Sequence, residues 1–157
     1  MRELLKYPHT QVNSEYDVGT TALSVAREQS NLETIGELLK HEKVDTNARN
    51  ADGATVLILA SEKSNMKVIR ELLKYTRVDV NAKQCIGRTT ALFSALYRGH
   101  IHALRTLLKH ESTDVNAKDD DGCTVLIWAS MKGYERSVEV LLKHESILDV
   151  NARRNDG

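Results

Sequence analysis

Cysteine, proline and large aromatic residues are scarce in this chain, and each scarcity removes a class of structure. Two Cys in 157 residues, Cys85 and Cys123, cannot form a disulfide framework. A reducing compartment is the matching expectation, intracellular and cytoplasmic first, with the nucleus second. One Pro, at Pro8, and eight Gly leave no proline-rich or glycine-rich linker and no low-complexity tract. One Trp and one Phe mean that the core is built from Leu, Ile, Val and Ala, which suits short, closely packed helices. An excess of one charge is also missing. Lys plus Arg is 22 and Asp plus Glu is 22, so the net charge is zero. A general nucleic-acid binder needs surplus positive charge to displace counterions from phosphates, and that class is excluded. Long apolar runs are absent too. Val56 to Ala60 is typical and far too short to span a bilayer, so no membrane association is expected. No basic-then-apolar signal segment opens the chain, which leaves secretion without support. With 41% apolar and 28% charged residues, the composition is that of a folded, soluble chain rather than a disordered one.

What is present is a period. The segment Asp79-Val80-Asn81-Ala82-Lys83 returns along the chain, with its Asn at 13, 47, 81, 116 and 151, in steps of 34, 34, 35 and 35 residues. Three other features keep step. Thr precedes an apolar pair at Thr21, Thr55, Thr90 and Thr124. Leu-Leu-Lys begins at Leu4, Leu38, Leu72, Leu107 and Leu141, 17 residues after each Thr where a Thr is present. Gly19, Gly53, Gly87 and Gly122 stand just before the Thr, and Gly157 ends the chain in the matching place. Self-similarity at this period marks stacked repeats, which usually work as binding surfaces.

Each unit reads as two short helices. Thr caps the first, its hydroxyl accepting from a free backbone N–H. Leu57 and Ala60 then share a helical face. A break follows at Ser64-Asn65, Gly99-His100 or Gly133-Tyr134, and Ser30-Asn31-Leu32-Glu33 matches a capping box. The second helix carries Val68, Ile69, Leu72 and Leu73. At two to three turns each, such helices are unstable alone and depend on stacking.

These anchors resemble the ankyrin repeat, whose period is close to 33 residues with a T-P-L-H-x-A signature, a β-turn and two helices. The matching residues include Asp52-Gly53-Ala54-Thr55-Val56-Leu57-Ile58-Leu59-Ala60 and Val78-Asp79-Val80-Asn81-Ala82. The resemblance covers nearly the whole chain. It implies an all-α repeat solenoid of stacked helix–turn–helix repeats joined by β-turn fingers. One repeat domain spans residues 1–157. A partial repeat covers about 1–14, full repeats about 15–48, 49–82, 83–117 and 118–152, and a partial finger 153–157.

Three departures stand out. The Pro of the signature is replaced by Ala22, Val56, Ala91 and Val125, and its His by Ser24, Ile58, Phe93 and Ile127. The family's Gly after the second helix is absent, and the link there is one residue longer, as in His41-Glu42-Lys43-Val44. Further single insertions fall in Gln84-Cys85-Ile86-Gly87-Arg88 and in Glu145-Ser146-Ile147-Leu148. No polar terminal cap is visible, because Met1 to Lys6 match only the tail of a second helix. The expectation is therefore a segment of a longer array, with end-to-end self-association through uncapped terminal repeats as a further one.

Catalysis has no candidate constellation, and neither an enzyme, a cofactor nor a metal is expected. His41, His110 and His144 share one repeat position with Tyr7 and Tyr75. Tyr in that place argues against ligation and for capping of helix C-termini. His100 and His102 are two apart and cannot face one way together. Cys85 and Cys123 lack the ligand spacing of a zinc site and read as solvent-facing or half-packed thiols. Asp119-Asp120-Asp121-Gly122 lacks the closing Glu of a calcium loop and reads as a solvated turn.

The resemblance implies a protein partner on the concave side, at finger tips and exposed first-helix residues. Carried over by position, the fingers supply Arg49, Asp52 and Ala54, then Lys83, Gln84, Ile86 and Arg88, then Lys118, Asp120, Asp121 and Cys123. The first helices supply Glu62, Lys63, Tyr97, Arg98, Met131 and Lys132, and Trp128 is divided between packing and binding. Four of the five residues two after each Asn are basic: Arg49, Lys83, Lys118 and Arg153, against Glu15. They form either a solvated charge row or part of a site for an acidic or mixed-charge peptide held by Lys83, Arg88, Tyr97 and Arg98, with Ile86 and Met131 as apolar contacts. Three readings follow. The first is non-catalytic protein–protein recognition. The second is the targeting or recruitment segment of a larger protein whose enzymatic or channel domain lies elsewhere. The third is small-molecule or oligonucleotide binding near Trp128, Lys132 and Arg98. The resemblance also implies Asn81 and Asn116 as substrates for an asparaginyl hydroxylase in an animal host.

Overall fold

The computed structural model describes residues 11, 13–15, 21–28, 31–144 and 148–155. Among these, eight helices and no strand occur: α1 (Ala22–Glu28), α2 (Leu32–Lys40), α3 (Val56–Glu62), α4 (Met66–Leu72), α5 (Ala91–Tyr97), α6 (Ile101–Leu108), α7 (Val125–Met131) and α8 (Glu135–Leu142). They pair as α1/α2, α3/α4, α5/α6 and α7/α8. The first helices of the pairs form one row and the second helices another. The result is an all-helical two-layer stack.

The helices start where Thr stands. Thr55, Thr90 and Thr124 accept from the N–H groups of Ile58, Phe93 and Ile127, each at 3.4 Å. Thr21 does the same for Ser24 at 3.4 Å. The cap of α2 is Asn31, which accepts from Thr34 N–H at 3.0 Å. This corrects the expected capping box by one residue. Ser30 lies outside the described residues, as do Met1 to Lys6. Between the helices of a pair the chain turns through positive φ at Ser64 (53°), Gly99 (69°) and Gly133 (67°). Ser64 therefore bears a strain that its two glycine counterparts avoid.

The core runs the length of the stack. Val56, Leu57, Ile58 and Ala60 of α3 and Ala91, Leu92, Phe93, Ala95 and Leu96 of α5 are all buried. Leu72 of α4 and Leu107 of α6, the first residues of their Leu-Leu-Lys triplets, are buried in the same cluster. Exposure rises in the last pair, where Leu142 is 55% exposed.

The repeating Asn joins one repeat to the next. Asn47 Nδ2 donates to the Arg77 carbonyl (2.9 Å) while its Oδ1 accepts from Asp79 N–H (2.8 Å). Asn81 does the same with the Ser112 carbonyl (2.6 Å) and Asp114 N–H (2.8 Å), and Asn13 with the Lys43 carbonyl (2.6 Å) and Asp45 N–H (2.7 Å). Asn116 Oδ1 accepts from Asp149 N–H at 2.8 Å. The Asp two residues earlier holds the loop in shape. Asp45, Asp79, Asp114 and Asp149 accept from the N–H of Asn47, Asn81, Asn116 and Asn151 at 2.8, 3.0, 2.9 and 3.0 Å. Backbone groups that a loop would leave unpaired are satisfied by these side chains.

At the His/Tyr position, His144 also links repeats. The ring of His144 donates to the Leu108 carbonyl at the end of α6, so it caps the neighbouring helix rather than its own. Tyr75 instead lies under Arg77, whose guanidinium is 5.7 Å from the ring centre. His100, separate from that series, places its Nε2 3.0 Å from the Glu62 carbonyl at the end of α3.

Candidate recognition surface

The second, third and fourth fingers are short turns, each closed by one polar side chain. In the second, Asn50 Oδ1 accepts from Asp52 N–H (3.1 Å) and Ala54 N–H (2.8 Å). In the fourth, Asp119 Oδ1 accepts from Asp121 N–H (3.0 Å) and Cys123 N–H (2.8 Å). The third finger carries one extra residue, and there Gln84 Nε2 donates to Thr89 Oγ1 (2.6 Å). Arg88 takes φ 48° in that longer turn.

Neighbouring fingers are bonded edge to edge. Cys85 N–H donates to the Asp52 carbonyl (3.1 Å), Asp120 N–H to the Gly87 carbonyl (3.3 Å) and Asn155 N–H to the Asp121 carbonyl (3.0 Å). This close approach explains Gly53 and Gly122. Both have positive φ (74° and 75°), and a Cβ on them would lie 2.7 Å from Cys85 N and 2.9 Å from Asn155 N. After that left-handed residue the chain turns inward. Ala54 and Cys123 are consequently buried, at 3% and 1% exposure, and their expected place at the finger tips is corrected. Cys85, by contrast, is exposed.

The basic row aligns along the stack, and the side chains of Arg49, Lys83 and Lys118 are engaged within the chain. Arg49 donates to the Lys83 carbonyl and to the Gly53 carbonyl (2.9 Å). Lys83 Nζ reaches the Lys118 carbonyl (3.0 Å) and Lys118 Nζ the Arg153 carbonyl (3.3 Å). Arg49, Lys83 and Lys118 thus each satisfy the carbonyl of the next residue in the row, which accounts physically for the recurrence of a cation there.

The other nominated residues fall on the face made by the fingers and first helices. Between the second and third fingers and helices α3 and α5 lies a cleft of about 600 Å³, lined by Asp52, Glu62, Gln84, Ile86, Gly87, Thr89, Ser94, Tyr97 and Arg98. Ile86 is 73% exposed and Tyr97 48%. Arg98 forms an ion pair with Glu62 across the two repeats, both side chains being partly exposed. Lys63, Arg88, Lys118, Asp120, Asp121, Met131 and Lys132 are exposed but do not line this cleft. Thr89 and Ser94 do line it and had not been singled out. Ser94 stands three residues before Tyr97, one helical turn away, and that spacing was the available signal.

Beside the cleft the aromatic residues gather. The rings of Tyr97 and Trp128 have centres 4.5 Å apart with planes inclined at 50°. Trp128 is half-buried and donates its Nε1–H to Asp119 Oδ2 at 2.6 Å. Lys132 Nζ lies 5.0 Å from the Trp128 ring centre. A small cavity of about 20 Å³ is lined by Leu96, Tyr97, Trp128, Lys132 and Tyr134. Burial pushes the Tyr97 hydroxyl above the usual tyrosine pKa, and the carboxylates of Asp119 and Asp121 push it further the same way. With both carboxylate oxygens hydrogen-bonded, Asp119 is a structural turn residue. Among the described residues no group of three or more His, Cys, Asp or Glu could hold a metal ion, and no helix is long and apolar enough to cross a membrane.

A family model for ankyrin repeats in three copies matches residues 1–84 and again 77–154. The ankyrin repeat protein EF0377, known from a crystal structure, is similar to this chain with a TM-score of 0.83 and 25% sequence identity, over 99% of this chain and 79% of that one. No curated protein matches the chain.

Proposed function

Because the chain belongs to the ankyrin repeat family, whose repeats generally serve as non-enzymatic protein–protein interaction modules, we propose that it binds a protein partner on the face formed by its fingers and first helices. The observation that carries this reading is the cleft walled by Ile86, Tyr97 and Arg98, with Met131 exposed one repeat further on. Exposed apolar and aromatic groups rimmed by charge characterise interaction surfaces, and Tyr and Arg are favoured anchors. The partner contacts assigned to this face are Arg49, Asp52, Glu62, Lys63, Lys83, Ile86, Arg88, Tyr97, Arg98, Lys118, Asp120, Asp121, Trp128, Met131 and Lys132. Arg49, Lys83 and Lys118, which are exposed or half-buried, contribute with the carbonyls they order.

The test is affinity capture of the partner, followed by titration calorimetry with variants. Tyr97→Ala/Arg98→Ala weakens binding tenfold or more, about 1.4 kcal/mol. The control Arg105→Ala/Arg136→Ala, at exposed positions of the second helices, leaves it unchanged. Equal affinity for wild type and the Tyr97/Arg98 variant removes the cleft from the interface.

A further inference from the structure

Aromatic residues make up only 4% of this chain, yet Tyr97, Trp128 and Tyr134 converge on one small cavity. Tyr97 and Trp128 belong to consecutive first helices, and Tyr134 caps the start of α8. Such rings present negative faces, and an ammonium or guanidinium group is attracted to them. The cluster already holds a cation, since Lys132 Nζ sits over the Trp128 ring. Lys132 follows the last residue of α7 and is exposed, so its ammonium exchanges readily with solvent. Asp119 accepts the indole N–H, which fixes the ring and enriches its face.

The surrounding charge points the same way. Arg98, the cation of the adjoining cleft, is paired with Glu62, while Asp52 on the same wall and Asp121 beside Tyr97 form no ion pair among the described residues. The Asp119 carboxylate lies at the edge of the cluster, 2.6 Å from the indole nitrogen, and with Asp121 it adds to the rise in the Tyr97 pKa that burial mainly causes. An anionic side chain would meet these carboxylates, and a cationic one would be drawn to them.

We propose that Tyr97, Trp128 and Tyr134 form a receptor for a lysine or arginine side chain of the protein partner, with Lys132 as the internal occupant that the partner's cation displaces. This rests on the reading that the partner is a protein bound to the finger and first-helix face, and it fixes the chemistry of one anchor residue. It replaces the acidic-peptide expectation at this end of the surface: of the cations nominated for that role, Lys83 and Arg98 have internal partners, and Arg88 is exposed but does not line this cavity.

The single Trp reports on the site directly. Synthetic heptapeptides with a central Lys or Arg are titrated against the full chain by Trp128 fluorescence, beside the same peptides with central Gln or Glu. The Lys and Arg peptides are expected to give saturable changes at least tenfold tighter than the Gln and Glu ones. Lys132→Ala removes the competitor and tightens the Lys peptide at least threefold. Asp119→Asn/Asp121→Asn weakens it at least threefold. Circular dichroism establishes that each variant is folded. Tyr134→Phe, which retains the ring, keeps the affinity within twofold if Tyr97 or Tyr134→Ala lowers it through lost ring faces. Equal binding of the Lys and Gln peptides, no saturation by any basic peptide, or weaker binding to Lys132→Ala overturns the proposal. If basic peptides fail while capture still depends on Tyr97 and Arg98, the docking face stands and the cation receptor falls. If basic peptides bind in a Lys132-sensitive way while capture ignores Tyr97 and Arg98, the cluster binds cations without anchoring the partner, and both the proposal and the assignment of the partner to the cleft fall.

Discussion

At the base of each finger, Asn47 and Asn81 commit both halves of their side-chain amides to the next repeat, whereas at the tip of the third finger Ile86 and Arg88 extend into solvent. The two regions are only a few residues apart, and the difference separates frame from surface. Base residues recur because each completes a bond to its neighbour, and the neighbour needs the same bond in turn. The recurring cations Arg49, Lys83 and Lys118 obey that rule, since each reaches a carbonyl one repeat away. At the tip, by contrast, the backbone bonds the next finger while the side chains of Ile86 and Arg88 are exposed, which leaves them free to vary and available to a partner.

Urea unfolding sharpens this contrast over a descending range of effects. Leu107→Ala, at a buried site between second helices, costs about 2–5 kcal/mol, while Leu142→Ala in the more exposed last pair costs less than about 0.5 kcal/mol. Asn81→Ala breaks two inter-repeat bonds and is expected to cost about 1–3 kcal/mol, against less than about 0.5 kcal/mol for Arg88→Ala at the tip. A tip substitution as costly as the base one would break the comparison. Thr90→Ala removes the cap of α5 and costs about 1 kcal/mol. A last substitution has an effect of the opposite sign. Ser64→Gly relieves a left-handed backbone and, after the added chain entropy of glycine, gains about 0.5 kcal/mol.

The period, the helix pairs and the Thr caps were legible in the sequence because each rests on local chemistry repeated in register. Leu72 and Leu107 were legible for the same reason. The Asn bridges were not, since a recurring Asn announces a constraint without naming the carbonyl and N–H it joins 30 to 33 residues away. The basic row was visible as a row, but its carbonyl partners depend on how adjacent loops stack. Ala54 and Cys123 misled because they follow the finger turn closely, and only the positive φ of Gly53 and Gly122 shows that the chain has already turned inward. The cap of α2 was misplaced by one residue because Ser30 and Asn31 are adjacent and both suited to capping. The meeting of Tyr97, Trp128 and Tyr134 crosses two repeats and has no counterpart in any single unit's pattern.

The most direct test of the separation between frame and surface is the affinity of the captured partner for Tyr97→Ala/Arg98→Ala, in a protein whose fold remains intact. Arg98 contributes only an exposed pair with Glu62, which is worth at most about 1 kcal/mol to stability. The account predicts a loss of tenfold or more in affinity, and an affinity equal to that of the wild type would contradict it.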